Sequence, residues 1–358
     1  MSRAIVQHNA QHYRPLRSPI YMKKTIKVKD KPHLKSLIEK EIKLYGPTCD
    51  LNHFDCCDIT DVSGLFFASA FNGDISKWDM SRVISMECTF YRSQFNGDIS
   101  LWNTSSVENM VDMFGHSTFN GDISKWNTLN VTDMSYLFYH SQFRGSIAEW
   151  DTSRVESMAG MFCKSLFNSD ISQWDTSRVE TMVGMFYESS FNGDISKWNT
   201  ARVTNMQSVF ARSHFNTDIS DWDTSKVQNM KNMFGNSQFK GDISRWNTSS
   251  VTDMSDMFAS SEFNGDISQW DTSRVESMMR MFQDAQFKGD LCAWDTRCVQ
   301  YLDKIFDNCP APTPYWSRYK NVEERARAIE EYKTIVQHRE YLQNNLSLGE
   351  AHYISKKI

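Results

Sequence analysis

Phe71-Asn72-Gly73-Asp74-Ile75-Ser76-Lys77-Trp78-Asp79-Met80-Ser81-Arg82-Val83-Ile84-Ser85-Met86-Glu87-Cys88-Thr89-Phe90 is followed, without insertion, by nine further versions of itself. Its first Phe recurs at 95, 119, 143, 167, 191, 215, 239, 263 and 287, and its Trp always stands seven residues later. A Val series runs from 83 to 299, and a second Phe series from 66 through 90 to 306. A strict 24-residue period over about 240 residues is the signature of a stacked array, because one such unit cannot bury its own apolar side chains and a stack of them can. The expected fold is therefore a repeat solenoid, one coil per 24 residues. At a strand spacing of ~4.8 Å, ten coils make a rod on the order of 50 Å long.

Within a coil, Val83, Met86 and Phe90 lie at i, i+3 and i+7, which fits one face of a helix. Ser105, Ser153, Ser177 and Ser273 are followed three residues later by Glu108, Glu156, Glu180 and Glu276, the spacing of a capping box. The reading predicts a short helix from about Arg82 to Phe90 and a short strand over Asp74–Trp78. Position 73 is Gly in most coils but Ser169 and Thr217 in two. A β-branched residue resists positive φ, so no left-handed backbone is expected there. The Ser two residues before each repeat Phe from Phe71 to Phe263 is expected in a tight corner, bonded to the neighbouring coil.

The ends depart from the pattern. Residues 1–30 read as a basic, disordered leader. Residues 31–49 read as an N-terminal capping helix, with Leu34, Leu37, Ile38, Ile42 and Leu44 spaced between charges. Residues 50–309 form the solenoid, and 310–358 a helical C-terminal cap with Val322, Ala326, Ile329, Tyr332, Ile335 and Val336 along 321–345. A homodimer through that last helix is the competing reading.

Charge is uneven. Residues 50–309 hold 20 Lys+Arg against 35 Asp+Glu, and the first 49 hold 11 against 3. The acidic body argues against direct nucleic-acid binding by the solenoid, since that affinity rests on cations neutralising phosphates. No run of 18 or more apolar residues exists to span a membrane, and no secretory signal is visible. A cytoplasmic location is expected, with export by another route as the alternative. The eight cysteines form no Cys-x-x-Cys pair. Cys292, Cys298 and Cys309 cluster near the end, where a metal or a disulfide competes with free thiols.

The unit Phe-Asn-Gly-Asp-Ile-Ser-x-Trp-Asp/Asn-Thr-Ser-x-Val-x-x-Met-x-x-Met-Phe-x-x-Ser resembles the BspA-like leucine-rich-repeat family, and within it the branch of mycoplasmal and other bacterial surface proteins. Val179-Glu180-Thr181-Met182-Val183-Gly184-Met185-Phe186-Tyr187-Glu188-Ser189 is similar to that family's Val-x-x-Ile-x-x-x-Ala-Phe-x-x-Cys stretch. The resemblance covers about 260 residues. It implies a leucine-rich-repeat-like solenoid and non-catalytic recognition of proteins or surfaces. The chain departs from secreted members in showing neither signal peptide nor lipoprotein cysteine.

Candidate chemistry is sparse. No Ser/His/Asp set, glycine-rich phosphate loop or His-Glu-x-x-His occurs, so a non-enzymatic protein without cofactor is expected. Trp and Met columns in register with Ile and Phe read as core. An Asp column (Asp74, Asp98, Asp122, Asp170, Asp194, Asp218, Asp242, Asp266, Asp290) reads first as turn acids bonding local amides. A cation ladder, or an acidic ridge that imitates DNA phosphates, is the alternative; Ser146 interrupts it beside Arg144 and Glu149. Recognition of another protein is expected where coils differ: at Tyr91, Arg92, His116, Tyr139, His140, Lys164, Tyr187 and Arg212 after the second Phe, and at the position before Trp. His116 and His140 stack one coil apart with no third metal ligand evident. Adhesion or an exported effector role is a further alternative.

Overall fold

In the computed structural model, which describes residues 23–345, every coil lies directly on its neighbours. Isolated parallel bridges link Asp61 to Ser85, Ser85 to Asn109, and so on every 24 residues to Ser277 and Tyr301. The coil from Phe95 to Thr118 shows how the sequence makes its corners. Asp98 Oδ1 accepts from Ser100 N–H at 2.9 Å, Asn103 Oδ1 from Ser105 N–H at 3.1 Å, and Asn109 Oδ1 from Val111 N–H at 2.9 Å. Each is a side chain imitating a turn carbonyl, which is why Asp, Asn and Ser punctuate the repeat.

The segment from Val107 to Phe114 is not a helix. The N–H groups of Met110, Asp112, Phe114 and His116 donate forward to Asp133, Ser135, Leu137 and Tyr139 of the next coil at 2.7–3.2 Å. Met113, Gly115 and Ser117 instead close local turns onto Met110, Asp112 and Phe114. Half of the backbone donors thus leave the segment, where an α-helix would keep them in i to i−4 bonds. The expected capping box is absent for the same reason: Glu108 N–H donates to Ile84 O at 2.9 Å. This ribbon of turns still buries Met110, Met113, Phe114 and Ser117, at i, i+3, i+4 and i+7, so periodicity alone cannot tell it from a helix. Nor is 74–78 a strand. Asp74 turns the chain and bridges only to Asp50, Trp78 N–H bonds Ile75 O at 3.1 Å, and the bridge that recurs in every coil is at the position of Ser85.

Two positions per coil carry positive φ, the column of Cys88, Asp112 and Tyr136 and the column of Arg92, His116 and His140, at 51–58°. The position of Gly73 has no positive φ. Glycine serves there because an added Cβ at Gly97 would fall 2.8 Å from the ring of Phe95. Where Ser169 and Thr217 replace it, each hydroxyl bonds the preceding coil, to Arg144 O and Gly193 O at 3.0 Å.

Stacked columns fill the interior. Phe95 and Phe119 rings lie 6.3 Å apart at 3°, and Trp102 and Trp126 6.3 Å apart at 6°. From Trp102 to Trp294 the indole N–H, the one polar group of a buried Trp, donates to an Ile carbonyl in the coil before, as Trp102 does to Ile75 O at 3.1 Å, and Trp78 donates to Leu51 O at 3.0 Å. Thr104 Oγ1 bonds Asn127 O ahead of it at 2.9 Å, and Asn96 Oδ1 accepts from Asn120 N–H at 2.8 Å. Polar ladders therefore fix each coil to its neighbours while the aromatic columns supply burial. The Ser column mostly bonds locally, Ser93 Oγ accepting from Phe95 N–H at 3.1 Å, with one longer bond to the preceding coil through Ser69 O.

Both ends are closed. Helix α1, Lys31–Tyr45, starts at Asp30, whose side chain accepts from His33 N–H, and buries Leu34 and Ile38 in the core. Strand β1, Ile26–Lys27, pairs in parallel with β2, Phe54–Asp55, and Val28 is buried. Residues 23–30 are therefore part of the fold: alternating Ile26 and Val28 cover the first coil, in contrast to the leader expected there. The rest of that leader, 1–22, lies outside the described residues. At the far end Trp316, in a 3-10 turn over Tyr315–Arg318, continues the indole ladder by bonding Leu291 O at 2.8 Å. Helix α2, Val322–Asn345, inserts a fully buried Arg325, which donates to Thr296 O at 3.0 Å, to Tyr319 O at 2.8 Å and to Val299 O. It ties the helix to the last coil, while Trp316 meets Leu291 O, the carbonyl that the Trp of a further coil would take.

Candidate protein-binding ridge

The outward side chains of the turn ribbon make a ridge across the coils, and the eight residues singled out from sequence all lie on it. They stand on turns rather than at a helix end. The second of each pair (Arg92, His116, His140, Lys164, Glu188, Arg212) has φ between 51 and 56°, a conformation that costs an L-residue on the order of 1 kcal/mol and persists only where the surroundings enforce it.

The amino-terminal part of the ridge is aromatic and basic. Phe67, 53 % exposed, stacks on Tyr91 at 5.1 Å, and Arg92 lies over the Tyr91 ring at 5.3 Å. The His116 ring stands edge-on to Tyr91 at 5.6 Å and to Tyr139 at 4.9 Å, and stacks on His140 at 4.7 Å. Burial lowers the His116 pKa, and the charges of His140, Arg92 and Lys164 lower it further. Lys164 lies over the Tyr187 ring at 5.8 Å. It also pairs with Glu188 at 3.4 Å, and Arg212 pairs with the same carboxylate at 3.1 Å. Burial pushes Glu188 up, but bonds from Arg212 and Lys164 hold it below its ordinary pKa.

Sequence reasoning missed the parallel column four residues earlier. There Asp112 Oδ1 is buried without a hydrogen-bond partner, and burial pushes the carboxyl up to about 7 against the pull of Arg92. Tyr136, 42 % exposed, lies across Gly160, where an added Cβ would meet its ring at 2.3 Å. The next coil has Gly184, with nothing but Tyr187 Cβ within 4 Å. The signal was available: this column varies between coils as much as the one after Phe. A second missed column holds Arg82, Arg154, Arg178, Arg202, Lys226 and Arg274, all exposed.

The Asp column is exposed throughout. Each carboxylate accepts from the N–H two residues on at 2.9 Å, from Ser in all but Asp290, whose donor is Cys292. That backbone bond holds Asp98, Asp122, Asp170, Asp194, Asp218, Asp242 and Asp266 below the ordinary carboxylate pKa. The position before Trp forms a separate column, with a Lys125–Glu149 pair at 2.6 Å and an Arg245–Asp221 pair at 3.2 Å. Among the described residues no group of three or more His, Cys, Asp or Glu is arranged to hold a metal, and Cys292, Cys298 and Cys309 are free thiols. No described helix is long and apolar enough to cross a membrane.

Ladders that join only adjacent coils, capped at both ends, define a tandem-repeat solenoid protein. The chain belongs to the family described as "Mycoplasma protein of unknown function, DUF285", whose model matches three times in tandem, over residues 40–143, 115–216 and 211–319. Neither the curated proteins nor the solved structures contain a match.

Proposed function

We propose that the chain is a non-enzymatic protein-binding scaffold whose recognition surface is the amino-terminal part of this ridge. One observation carries the reading. Rings and cations are concentrated at Phe67, Tyr91, Arg92, His116, Tyr136, Tyr139, His140, Lys164 and Tyr187, on successive coils whose interiors are uniform. Tyr and Arg are the residue types that dominate binding hot spots, and a rigid stack presents them with little ordering cost. The resemblance to BspA-like repeats points the same way. Capture of a partner from host lysate, followed by measurement with variants, tests it. Tyr139→Ala with Tyr187→Ala is expected to weaken binding at least tenfold, about 1.4 kcal/mol, with the fold intact.

The exposed, ionised Asp column supports a second reading, an acidic inhibitor that occupies a nucleic-acid-binding protein. Charge reversal of Asp194, Asp218 and Asp242 would then abolish binding while the Tyr pair is silent, and affinity would fall steeply with salt. Dimerisation through α2 is a lesser proposal, supported by the 62 % exposure of Ile335.

A further inference from the structure

The ridge reading leaves the partner's chemistry open, and the charges on the ridge narrow it. The body of the solenoid is acidic, yet Arg92, His116, His140 and Lys164 occupy one column on four successive coils, and no carboxylate interrupts that column before Glu188. The two imidazoles are 4.7 Å apart, one coil spacing, so the four groups span ~14 Å at ~4.8 Å per coil. At ~3.3 Å per residue, an extended chain covers that length in about four to five residues. The His116 ring is held between Tyr91 and Tyr139, each edge-on to it, and against His140. Its orientation is fixed before any ligand arrives, which lowers the cost of binding.

We propose that Arg92, His116, His140 and Lys164 form a cationic strip that receives an extended acidic segment of a partner protein, and that binding tightens as the two imidazoles take up protons. This rests on the ridge being the recognition surface and adds the class of partner and its regulation. The groups facing the imidazoles all enter the balance. Burial of His116 opposes its protonation, as do the charges of His140, Arg92 and Lys164. Tyr91 and Tyr139 face the His116 ring edge-on. Glu188 is engaged by Lys164 and Arg212. Asp112, whose carboxyl titrates near 7, loses its negative charge over the same range. On acidification from pH 7.5 to 5.5 every change makes the strip more positive, while glutamates of a ligand stay ionised.

The test is fluorescence anisotropy with labelled hexaglutamate, against a hexaserine control, at pH 7.5 and 5.5. Hexaglutamate is expected to bind at least tenfold tighter at the lower pH, since each added charge about 4 Å from a carboxylate contributes roughly fivefold even at the dielectric of water. Position 236 of the same column is a native Asn at φ 55°, so Asn variants suit the backbone. All variants are made in an Asp112→Asn background, which removes that carboxyl's own titration; there His116→Asn with His140→Asn should flatten the pH response and keep neutral-pH binding, and Arg92→Asn with Lys164→Asn should remove the neutral-pH binding. An unchanged melting temperature certifies each fold. Equal affinity for hexaserine, or a pH response that survives the double His variant, overturns the inference. If hexaglutamate fails while a captured partner still depends on Tyr139 and Tyr187, the strip is wrong and the ridge reading stands.

Discussion

The two halves of the ridge share one backbone and spend it differently. Asp112 and Asp256 occupy the same position, at φ 55° and 58°. In the carboxy-terminal half the outward side chains pair coil to coil. Arg280 clasps Asp256 at 2.6 and 2.9 Å, Asn232 bonds Ser208 at 3.1 Å, His214 meets Gln238 at 3.1 Å, and Asn308 bonds Asp284 at 2.8 Å. In the amino-terminal half Asp112 has a buried oxygen with no partner, Tyr136 covers a glycine, and Gly184 leaves its space open. An ion pair between neighbours in the Asp112 column is evidently within reach of this backbone, since Arg280 and Asp256 make one, so its absence at Asp112 is a property of the side chain opposite, Tyr136. Proteins break such local rules most often at functional sites, and the unmet group supports the proposed binding surface in that sense.

The largest test asks whether the halves are equal underneath. Trp102→Ala and Trp246→Ala should each cost about 3–5 kcal/mol in denaturant unfolding, because both empty the same column and strip the indole N–H from an Ile carbonyl. A difference beyond ~1 kcal/mol between them would mean that the cores, and not only the surfaces, differ.

Next in size is the unpartnered carboxylate. Burial pushes the Asp112 carboxyl up to about 7 in the folded chain, from an ordinary 3.8. The folded chain therefore holds this proton more tightly than the unfolded one. The stability it contributes is intact below about pH 4 and is lost as pH rises to about 7. Asp112→Asn should raise stability at pH 8 by about 1–2 kcal/mol and remove that slope, as read by thermal melts across pH. Tyr136→Arg should transplant the Asp256–Arg280 pair into the amino-terminal half. A gain of about 1 kcal/mol and a lower Asp112 pKa by carboxyl NMR would show that the halves are interchangeable. No change would show that they are not.

The smallest effect is expected from calcium. The Asp column runs unbroken from Asp170 to Asp290, one carboxylate per coil, and each already accepts a backbone N–H. Calcium needs six to eight oxygens, so millimolar calcium should leave the melting temperature unchanged. A rise of several degrees reversed by EDTA would make the column a cation ladder.

The period and the core columns were legible, because a residue committed to an invariant interior recurs in register. The corner chemistry was legible too, in Asp98-x-Ser100 and Asn103-x-Ser105, but it was outweighed by a helical spacing. A ribbon whose buried positions fall at i, i+3, i+4 and i+7 writes the same pattern as a helix, and only the destination of its N–H groups separates them. That destination is the next coil, 23 residues away, which no local window sees. On the ridge, side chains after the second Phe stood out by variation. The column of Asp112 varies as much, but variation does not single out Asp112, whose meaning comes from burial and from the missing partner one coil on.

Arg325 has a consequence for how such a protein changes over generations. Every ladder in the stack joins a coil only to its immediate neighbours, and Arg325 bonds only the last coil and its own cap. One repeat's worth of codons can therefore be duplicated or deleted in frame, between any two internal coils, without disturbing the cap. The reach of the ridge is set by copy number. Its chemistry is set separately, by point changes at the two outward columns, so length and specificity can evolve as independent variables.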